Sequence, residues 1–265
     1  MIAIKLQGGL GNVMFQIAAI EYMGKTFNQE VCYTNVDTWI DDAIANYAWE
    51  KHAENYLTLF PAIDFYKNHT SRFPMNRTID APFRYERIEA DHGYLFSGYF
   101  QSEQYFPDSN FVKELLTPND DVKQVLVKYD SLLQTTTCSI SVRRGNYLNL
   151  QSRHAVLGMD YYNKAIDIMR DTGVKRFIVF SNDLSWCKNS FIGEEFVFIE
   201  DIDYIELFLM NKCNHHIISN SSFGWWGAWL GETPDTKTLA PEIWFGNGLP
   251  TDFALDIVPN RWLRI

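Results

Sequence analysis

The sequence predicts an α/β protein built on parallel sheets of the doubly wound kind. From about residue 136 onward, short apolar runs alternate with amphipathic stretches, which is typical of β-α-β units. The chain also opens with an apolar run at residues 2–6 that leads through a glycine loop into a helical pattern. Its 265 residues suit about two domains of ordinary size. We expect these domains at residues 1–135 and 136–265.

The first half of the chain is the less regular one. Residues 2–6 are predicted as a buried strand and residues 12–24 as a helix. Between residues 38 and 108 the sequence is rich in Tyr, Phe, Asn and Pro and shows weaker periodicity, so we expect long loops there.

The second half carries the regular alternation of strands and helices. The predicted strands cover residues 138–142, 176–180, 196–199, 216–219 and 238–240, and the predicted helices cover residues 161–172, 203–212 and 223–230. Asp160 is expected to cap the first of these helices and Gly173 to end it. Parallel strands with helical crossovers follow from this order.

Composition excludes several classes of protein. Lys and Arg number 23 against 33 Asp and Glu, a net charge of −10 that disfavours a general nucleic-acid binder. The four cysteines are far apart and form no C-x-x-C pair, so we expect buried free thiols in a reducing compartment. No signal peptide and no transmembrane run is evident. We expect a cytoplasmic protein, and peripheral association with the inner membrane, where glycan precursors are assembled, is compatible with this expectation.

The glycine loop at residues 8–12 is the first candidate for ligand binding. Glycines let the backbone approach a ligand closely, and the N-terminus of the following helix favours an anion. Met14 stands where a dinucleotide fingerprint needs its third glycine, so that motif is excluded. A turn with a purely structural role remains the alternative.

Two further candidates lie at predicted strand ends. Arg143 and Arg144 follow the strand at residues 138–142, where open α/β sheets bind ligands, and guanidinium groups suit phosphate. A solvated surface ion pair is the alternative. The serines of residues 219–222 precede a helix and would form a second anion site. Trp226 and Trp229 in that helix are expected to be core residues.

The carboxylates and histidines give no comparable signal. Asp201 and Asp203 form a D-x-D pair, but they stand just before a helix, where acidic residues cap it and complement its dipole. His154, His215 and His216 lack the spacing of metal ligands. We therefore expect no metal site.

Five segments resemble the α-1,2-fucosyltransferases of glycosyltransferase family 11, in the same order along the chain. Residues 8–18 (GGLGNVMFQIA) resemble the family form GGLGNQMFQYA, and residues 98–103 (GYFQSE) resemble GYWQSE. Residues 141–147 (SVRRGNY) resemble HxRRGDY, and residues 180–183 (FSND) resemble FSDD. Residues 219–230 (SNSSFGWWGAWL) resemble SNSSFSWWGAWL. The first and last motifs are long and distinctive.

The resemblance implies a GT-B-like fold, with two Rossmann-type lobes and a nucleotide-sugar cleft between them. It implies inverting transfer of fucose from GDP-fucose to the 2-hydroxyl of a terminal galactose on a glycan. No metal is implied, and no cofactor besides the donor substrate. Residues 1–135 would form the acceptor-side lobe, and residues 136–265 the lobe that binds the GDP-sugar.

The resemblance also assigns roles to individual residues. Arg143 is the expected clamp on the pyrophosphate, and Arg144 assists it or orients the loop. Asp183 is expected to accept hydrogen bonds from the guanine edge. Further contacts to the sugar diphosphate are expected from Gly9, Gly11, Asn12, Ser221, Ser222 and the amides of Phe223 and Gly224.

Three of the chain's departures from the family form matter for the chemistry. Ser141 replaces a His, Asn146 replaces an Asp and Val13 replaces a Gln. Because an amide does not accept a proton at neutral pH, Asn146 leaves the general base unassigned. His154 and Glu103 are the candidates, and a mechanism without a dedicated base is the third option.

Two other functions stay open at the level of sequence. One is a transferase for another GDP-linked 6-deoxyhexose, or for another linkage. The other is a noncatalytic glycan-binding protein whose aromatic residues, 15% of the chain, stack on sugar faces. No motif identifies the acceptor, and its specificity is expected to depend on residues 38–108.

Overall fold

This computed structural model describes residues 1–46, 52–67, 77–80, 84–89 and 93–265. The chain forms two compact units. The first unit comprises Met1–Val122 together with Phe253–Pro259, and the second comprises Lys123–Asp252 together with Asn260–Ile265. Neither unit is therefore one continuous stretch of sequence.

The segment that joins the two units along the chain belongs to the second unit from Lys123 onward. In this segment, Lys128 Nζ lies 2.6 Å from Asp201 Oδ2, and the Tyr129 hydroxyl donates to the same oxygen at 2.6 Å. The predicted boundary after residue 135 thus falls inside the second unit.

The first unit is built on a parallel sheet of four strands in the order β2-β1-β4-β3. Its strands are β1 (Ile2–Ile4), β2 (Val31–Tyr33), β3 (Arg77–Asp80) and β4 (Tyr94–Ser97). Its helices are α1 (Leu10–Phe27), α2 (Val36–Asn46), α3 (Tyr56–Leu59), α4 (Ser109–Leu115) and α5 (Asp120–Leu126), the last of which continues into the second unit. The irregular region predicted at residues 38–108 thus contributes two strands of the sheet.

Helix α1 extends beyond the predicted residues 12–24 at both ends. It begins after Gly9 and ends at Phe27, and the C-cap residue Asn28 has a left-handed backbone (φ 51°) and bonds through its N–H to the Gly24 carbonyl. A Cβ on Gly24 would lie 2.7 Å from a methyl of Val31 in β2, so this glycine permits close packing of the helix on the sheet.

The second unit is built on a parallel sheet of six strands in the order β10-β9-β8-β5-β6-β7. Its strands are β5 (Thr137–Val142), β6 (Arg176–Ser181), β7 (Phe196–Phe198), β8 (His215–Ile217), β9 (Thr238–Ala240) and β10 (Leu263–Arg264). Its helices are α6 (Met159–Asp171), α7 (Leu184–Ser190), α8 (Asp203–Asn211) and α9 (Ser222–Gly231). Counted from β5, this is the Rossmann order 3-2-1-4-5-6, whose topological switch point lies between β5 and β8. The predicted parallel α/β architecture is confirmed, whereas α7 and β10 were not predicted.

Helix α6 supplies much of the core of the second unit. Tyr162, Ile166 and Met169 are buried on one face, as predicted. Its N-cap is Gly158 and not Asp160, so that prediction was wrong by two residues. The Asp160 carboxylate lies in the first turn, where it still complements the helix dipole.

Helices α8 and α9 pack closely because α9 carries glycines on the contact face. A Cβ on Gly227 would lie 2.9 Å from the Cβ of Met210, and one on Gly231 would meet the backbone of α8. Trp226 and Trp229 are 0% and 2% exposed, so the prediction that they are core residues is confirmed.

The structure also bears on the predictions from composition. Cys32, Cys138, Cys187 and Cys213 are free and buried, as expected. Among the described residues, no helix has the length and apolar character needed to cross a membrane.

Candidate active site

The strand order places two of the predicted ligand-binding segments side by side. Residues 143–154 follow β5 and residues 218–222 follow β8, and these two strands are parallel neighbours at the switch point. Open α/β sheets bind ligands at the carboxyl ends of such strands. The candidate site of the second unit therefore lies at this edge.

Arg144 is fixed by the elements beside it. Its guanidinium carbon lies 4.1 Å from the ring centroid of Trp186, and its Nε lies 3.6 Å from Asp183 Oδ2. Its backbone N–H donates to Asn182 Oδ1 at 3.0 Å. The side chain is 15% exposed, so stacking and ion pairing hold this arginine against the start of α7.

Asp183 is the N-cap of α7. Its Oδ1 accepts the backbone N–H of Trp186 at 3.1 Å, while its own N–H donates to Ser181 Oγ at 2.9 Å. Its other oxygen faces Arg144. The carboxylate thus orders the loop after β6 and neutralises one of the two arginines.

Arg143 takes a different direction. Its guanidinium carbon lies 5.4 Å from the ring centroid of Tyr147, and its side chain is half-buried. The Tyr147 hydroxyl donates to the backbone carbonyl of Asn220, at 3.2 Å. Burial raises the pKa of Tyr147, which keeps the phenol neutral, while Arg143 opposes that shift. The two adjacent arginines therefore have different surroundings.

His154 stacks on the same tyrosine. The rings of His154 and Tyr147 are 4.1 Å apart and inclined by 8°, and the backbone of His154 pairs with Phe245. Burial lowers the pKa of His154, and the charges of Arg143 and Arg153 lower it further. The imidazole is neutral at pH 7 and can accept a proton.

Asn220 joins the loops of this edge. Its Nδ2 donates to the carbonyls of Ala155, at 2.9 Å, and of Trp244, at 2.6 Å. Because both partners are acceptors, the orientation of the amide is determined. Asn220 is 2% exposed, and its backbone carbonyl accepts the hydroxyl of Tyr147. It therefore joins the segments that follow the three strands β5, β8 and β9.

The N-terminus of α9 lies against the end of β5. Ser221 is the N-cap residue, with extended backbone, and its hydroxyl makes no capping bond. Ser222 and Phe223 begin the helix, and a Cβ on Gly224 would lie 2.5 Å from Ser141 Oγ. Ser221, Ser222, Phe223 and Gly224, which were predicted to contact phosphate, therefore share the edge that carries Arg143.

Several buried polar atoms at this edge have no hydrogen-bond partner among the residues that the structure describes. They are Arg144 Nε, Asn146 Oδ1, Asn182 Nδ2, Ser219 Oγ and Asn220 Oδ1. A buried polar group left unpaired costs about 1–3 kcal/mol. Such a concentration of unpaired groups is typical of a functional site.

The glycine loop of the first unit is held by amide side chains. Gln16 bonds to both the N–H and the carbonyl of Gln7, at 3.0 and 2.9 Å. Asn35 bonds in the same way to Leu6, at 2.7 and 2.9 Å. The Trp39 indole N–H donates to the carbonyl of Gly8 at 2.9 Å. The loop is therefore a fixed element.

The other predicted site residues of the first unit follow either β1 or β4, which are neighbours in the sheet. Gly9 is the N-cap position of α1, and Gly11 and Asn12 lie in its first turn. Glu103 begins a 3-10 turn after β4, preceded by the capping residue Ser102.

The acidic residues near α8 act at a helix terminus. Asp201 is engaged by Lys128 and Tyr129, and Asp203 is the first residue of α8. The N-cap of α8 is Ile202, so the prediction that these aspartates cap the helix was wrong, whereas Asp203 in the first turn still complements the helix dipole. Within the described ranges, no group of three or more His, Cys, Asp or Glu side chains could hold a metal ion.

Glu206 gives a testable pH dependence. Burial raises the pKa of Glu206 to about 8, and Asp203, Asp201 and Glu200 add to the shift. The unfolded pKa is about 4.3, so the native state binds more protons between these values, and this group makes stability fall as pH rises. We expect Glu206→Gln to flatten this decline in stability and to raise the urea midpoint at pH 8. The Asp201 N–H, which donates to Glu206 Oε1 at 3.0 Å, can donate to the amide oxygen of the variant instead. Glu194→Gln, at an exposed position, is the control, and an unchanged pH slope in Glu206→Gln would contradict the expectation.

Sequence reasoning missed three contributors to the site. Asn220 lay inside a recognised motif, but its role in joining three loops depends on tertiary contacts. Asn182 orders the Arg144 backbone, and Trp186 stacks on its side chain. Trp186 had no sequence signal, because α7 itself was not predicted.

Comparisons with known proteins identify the family and the relatives of this chain. The sequence model for Glycosyl transferase family 11 matches residues 1–252. The O-antigen biosynthesis glycosyltransferase WbnK of Escherichia coli is 27% identical over 303 aligned positions, covering 98% of this chain and 99% of that protein. An α-1,2-colitosyltransferase of Escherichia coli is 34% identical over 185 positions, covering 64% of this chain and 62% of that protein. A galactoside α-(1,2)-fucosyltransferase 2 of Rattus norvegicus is 27% identical over 146 positions, covering 45% and 41%.

Solved fucosyltransferase structures share the fold. NodZ from Bradyrhizobium superposes with a TM-score of 0.54 at 11% identity, covering 85% of this chain and 92% of that one. POFUT1 in complex with GDP-fucose superposes with a TM-score of 0.53 at 10% identity, covering 90% and 97%. At these identities the likeness concerns the fold alone. The predicted GT-B-like pair of Rossmann-type lobes is confirmed.

Proposed function

This chain belongs to glycosyltransferase family 11, and from that membership we propose that it transfers fucose from GDP-fucose to the 2-hydroxyl of a terminal galactose on a glycan. The observation that carries the proposal is the edge between β5 and β8, where Arg143 and the N-terminus of α9 lie at the switch point of a Rossmann sheet. Fixed cationic donors and helix amides at such a position suit a nucleotide diphosphate.

The proposed reaction inverts the anomeric carbon. The bond from that carbon to the β-phosphate oxygen breaks, and the acceptor oxygen forms the new bond from the opposite face. Arg143 and the first turn of α9 stabilise the charge that develops on the leaving GDP, so the proposal needs no metal. Ser221, Ser222, Phe223 and Gly224 supply the contacts of α9.

The nucleotide would be positioned by the residues beside the clamp. Asp183 remains the proposed partner of the guanine edge: its carboxylate accepts one backbone N–H and faces Arg144, and carboxylate oxygens have further lone pairs for guanine N–H groups. Arg144 would orient the loop that carries Arg143. Gly9, Gly11 and Asn12 are the residues of the first unit proposed to contact the sugar diphosphate.

The general base stays a choice between His154, Glu103 and unassisted attack. A neutral imidazole next to Arg143 can accept the proton of the acceptor hydroxyl, which supports His154. His154→Gln and Glu103→Gln, compared in the same assay, separate the options: the variant that loses the acidic limb of the pH–rate profile identifies the base. Retention of that limb in both supports unassisted attack.

A transferase for another GDP-linked 6-deoxyhexose is the second candidate. The similarity to an α-1,2-colitosyltransferase at 34% identity favours it. A noncatalytic glycan-binding protein is less well supported, because Arg143 and the N-terminus of α9 at the switch point of the sheet would have no role in it.

One experiment separates these functions. The protein is incubated with GDP-fucose or another GDP-6-deoxyhexose and a panel of galactosides, with and without chelator, and the product linkage is determined by NMR. Formation of an α-1,2-fucosyl galactoside that survives the chelator supports the proposal. Transfer from another donor, or another linkage, supports the second candidate. Glycan binding without GDP binding or turnover would overturn both.

A further inference from the structure

The loop that follows β4 carries a buried amide, Gln101, which has no role in the proposed reaction so far. Gln101 is 9% exposed, and its Nε2 donates to Asn12 Oδ1 at 2.8 Å. Asn12 lies in the first turn of α1, the helix that follows β1, and β1 and β4 are parallel neighbours. The two amides therefore join the two loops at the carboxyl edge in the middle of the first sheet.

The backbone before Gln101 is held in a conformation that most residues avoid. Phe100 has φ 53°, in the left-handed region, although it is not a glycine. Its ring is 0% exposed and packs edge-on against Phe96, at 6.3 Å, and Tyr105, at 5.1 Å. Burial of the ring thus maintains the disfavoured backbone that carries Gln101. Outliers of this kind concentrate at functional sites.

The hydrogen bond from Gln101 fixes which end of Asn12 faces the glycine loop. Since Oδ1 accepts from Gln101, Nδ2 lies on the other side, beside Gly8. A Cβ on Gly8 would lie 2.5 Å from that nitrogen, and the backbone there has φ 82°. Gly8 therefore makes room for the donor end of Asn12.

We propose that Gln101 is a positioning residue that holds Asn12 with its Nδ2 group ready to donate to a diphosphate oxygen of the donor substrate. An amide turned the other way would present Oδ1, an acceptor, to the phosphate and repel it. Gln101 acts through Asn12 and does not itself touch the donor. The nature of the ligand rests on the proposed function, whereas the orientation of Asn12 does not.

The test is Gln101→Glu, which keeps the size of the side chain and removes the donor. A carboxylate accepts but does not donate, so Asn12 must turn its amide over to bond with it. We expect the affinity for GDP, measured by calorimetry, to fall about tenfold or more. Gln134→Glu is the control, because it makes the same change at an exposed position where, among the described residues, the side chain donates only to the Asp130 carbonyl. In an Asn12→Ala background, Gln101→Glu should cause no further loss.

A pH series separates positioning from general damage. Near pH 4.5–5 the new carboxyl group begins to gain a proton and can donate to Asn12 Oδ1 again, so GDP affinity should recover relative to the wild type. Unchanged GDP affinity in Gln101→Glu, an equal loss in the Asn12→Ala background, or no recovery at low pH would each overturn the proposal. If the wild type binds no GDP, the proposed function fails. The inferred role in donor binding then falls with it, while side-chain amide NMR still shows whether Asn12 turns over in Gln101→Glu.

Discussion

We expect Arg143→Ala to abolish sugar transfer while leaving the protein folded. Arg143 follows the central strand β5 at the switch point, is half-buried, and lies over Tyr147. Its neighbour Arg144 is already paired with Asp183 and stacked on Trp186, so it is not placed to substitute. Loss of a fixed cationic donor at the leaving group should lower kcat by about 10²–10³-fold or more.

The measurement is kcat with GDP-fucose, together with the rise in the unfolding midpoint that GDP produces. Arg153→Ala is the matched control: Arg153 is an exposed arginine of the same loop, and its charge, like that of Arg143, lowers the pKa of His154. Arg143→Lys should retain part of the GDP effect, since lysine keeps the charge without the guanidinium fork. Full transfer activity in Arg143→Ala would refute its role as the clamp.

The second large effect is expected from Asn220→Asp, which replaces the side-chain NH2 group by an oxygen and leaves the shape almost unchanged. Asn220 uses Nδ2 to donate to the carbonyls of Ala155 and Trp244. A carboxylate would direct an oxygen at both carbonyls inside a site that is 2% exposed, which leaves them unpaired and adds repulsion. We expect a loss of about 3–5 kcal/mol in the free energy of unfolding and loss of transfer activity.

Asn214→Asp is the control at the opposite end of β8. There Oδ1 accepts the N–H of Thr137 at 2.8 Å and its hydroxyl at 3.1 Å, and a carboxylate oxygen can do the same. Chemical denaturation of both variants measures the contrast. Equal destabilisation at the two positions would show that the donor role of Asn220 is not what stabilises the edge.

The parts of the fold that follow from local pattern were predictable. Strand β6 holds a continuous apolar run, β5 alternates apolar residues with serines, and α6 has a clear apolar face. Their positions, and even the site at the end of β5, therefore follow from local pattern. Helix α7 has only seven residues and one fully buried side chain, so it offers no such period. The C-terminal end of α1 depends on the left-handed backbone of Asn28, which the sequence alone does not show.

The candidate site divides in the same way. Residue type and strand ends identify Arg143, because a charge in that location has a direct chemical meaning. The surroundings of Arg144 differ because its side chain stacks on Trp186, which lies in α7 after the neighbouring strand β6. The pairing of Gln101 with Asn12 joins loops far apart in sequence, and its geometry depends on the backbone of Phe100.

The return of Phe253–Pro259 to the first unit has a consequence for how the protein is made. Asp256 in that segment accepts the N–H of Tyr85 at 3.0 Å and the Nε2 of Gln104 at 3.3 Å. Residues 253–259 are synthesised after residues 123–252 of the second unit, so we expect the first unit to complete its structure only after that stretch of the second unit has been made. A fragment cut between the units would lack this segment, and dissection should yield a first lobe that is incomplete when expressed alone.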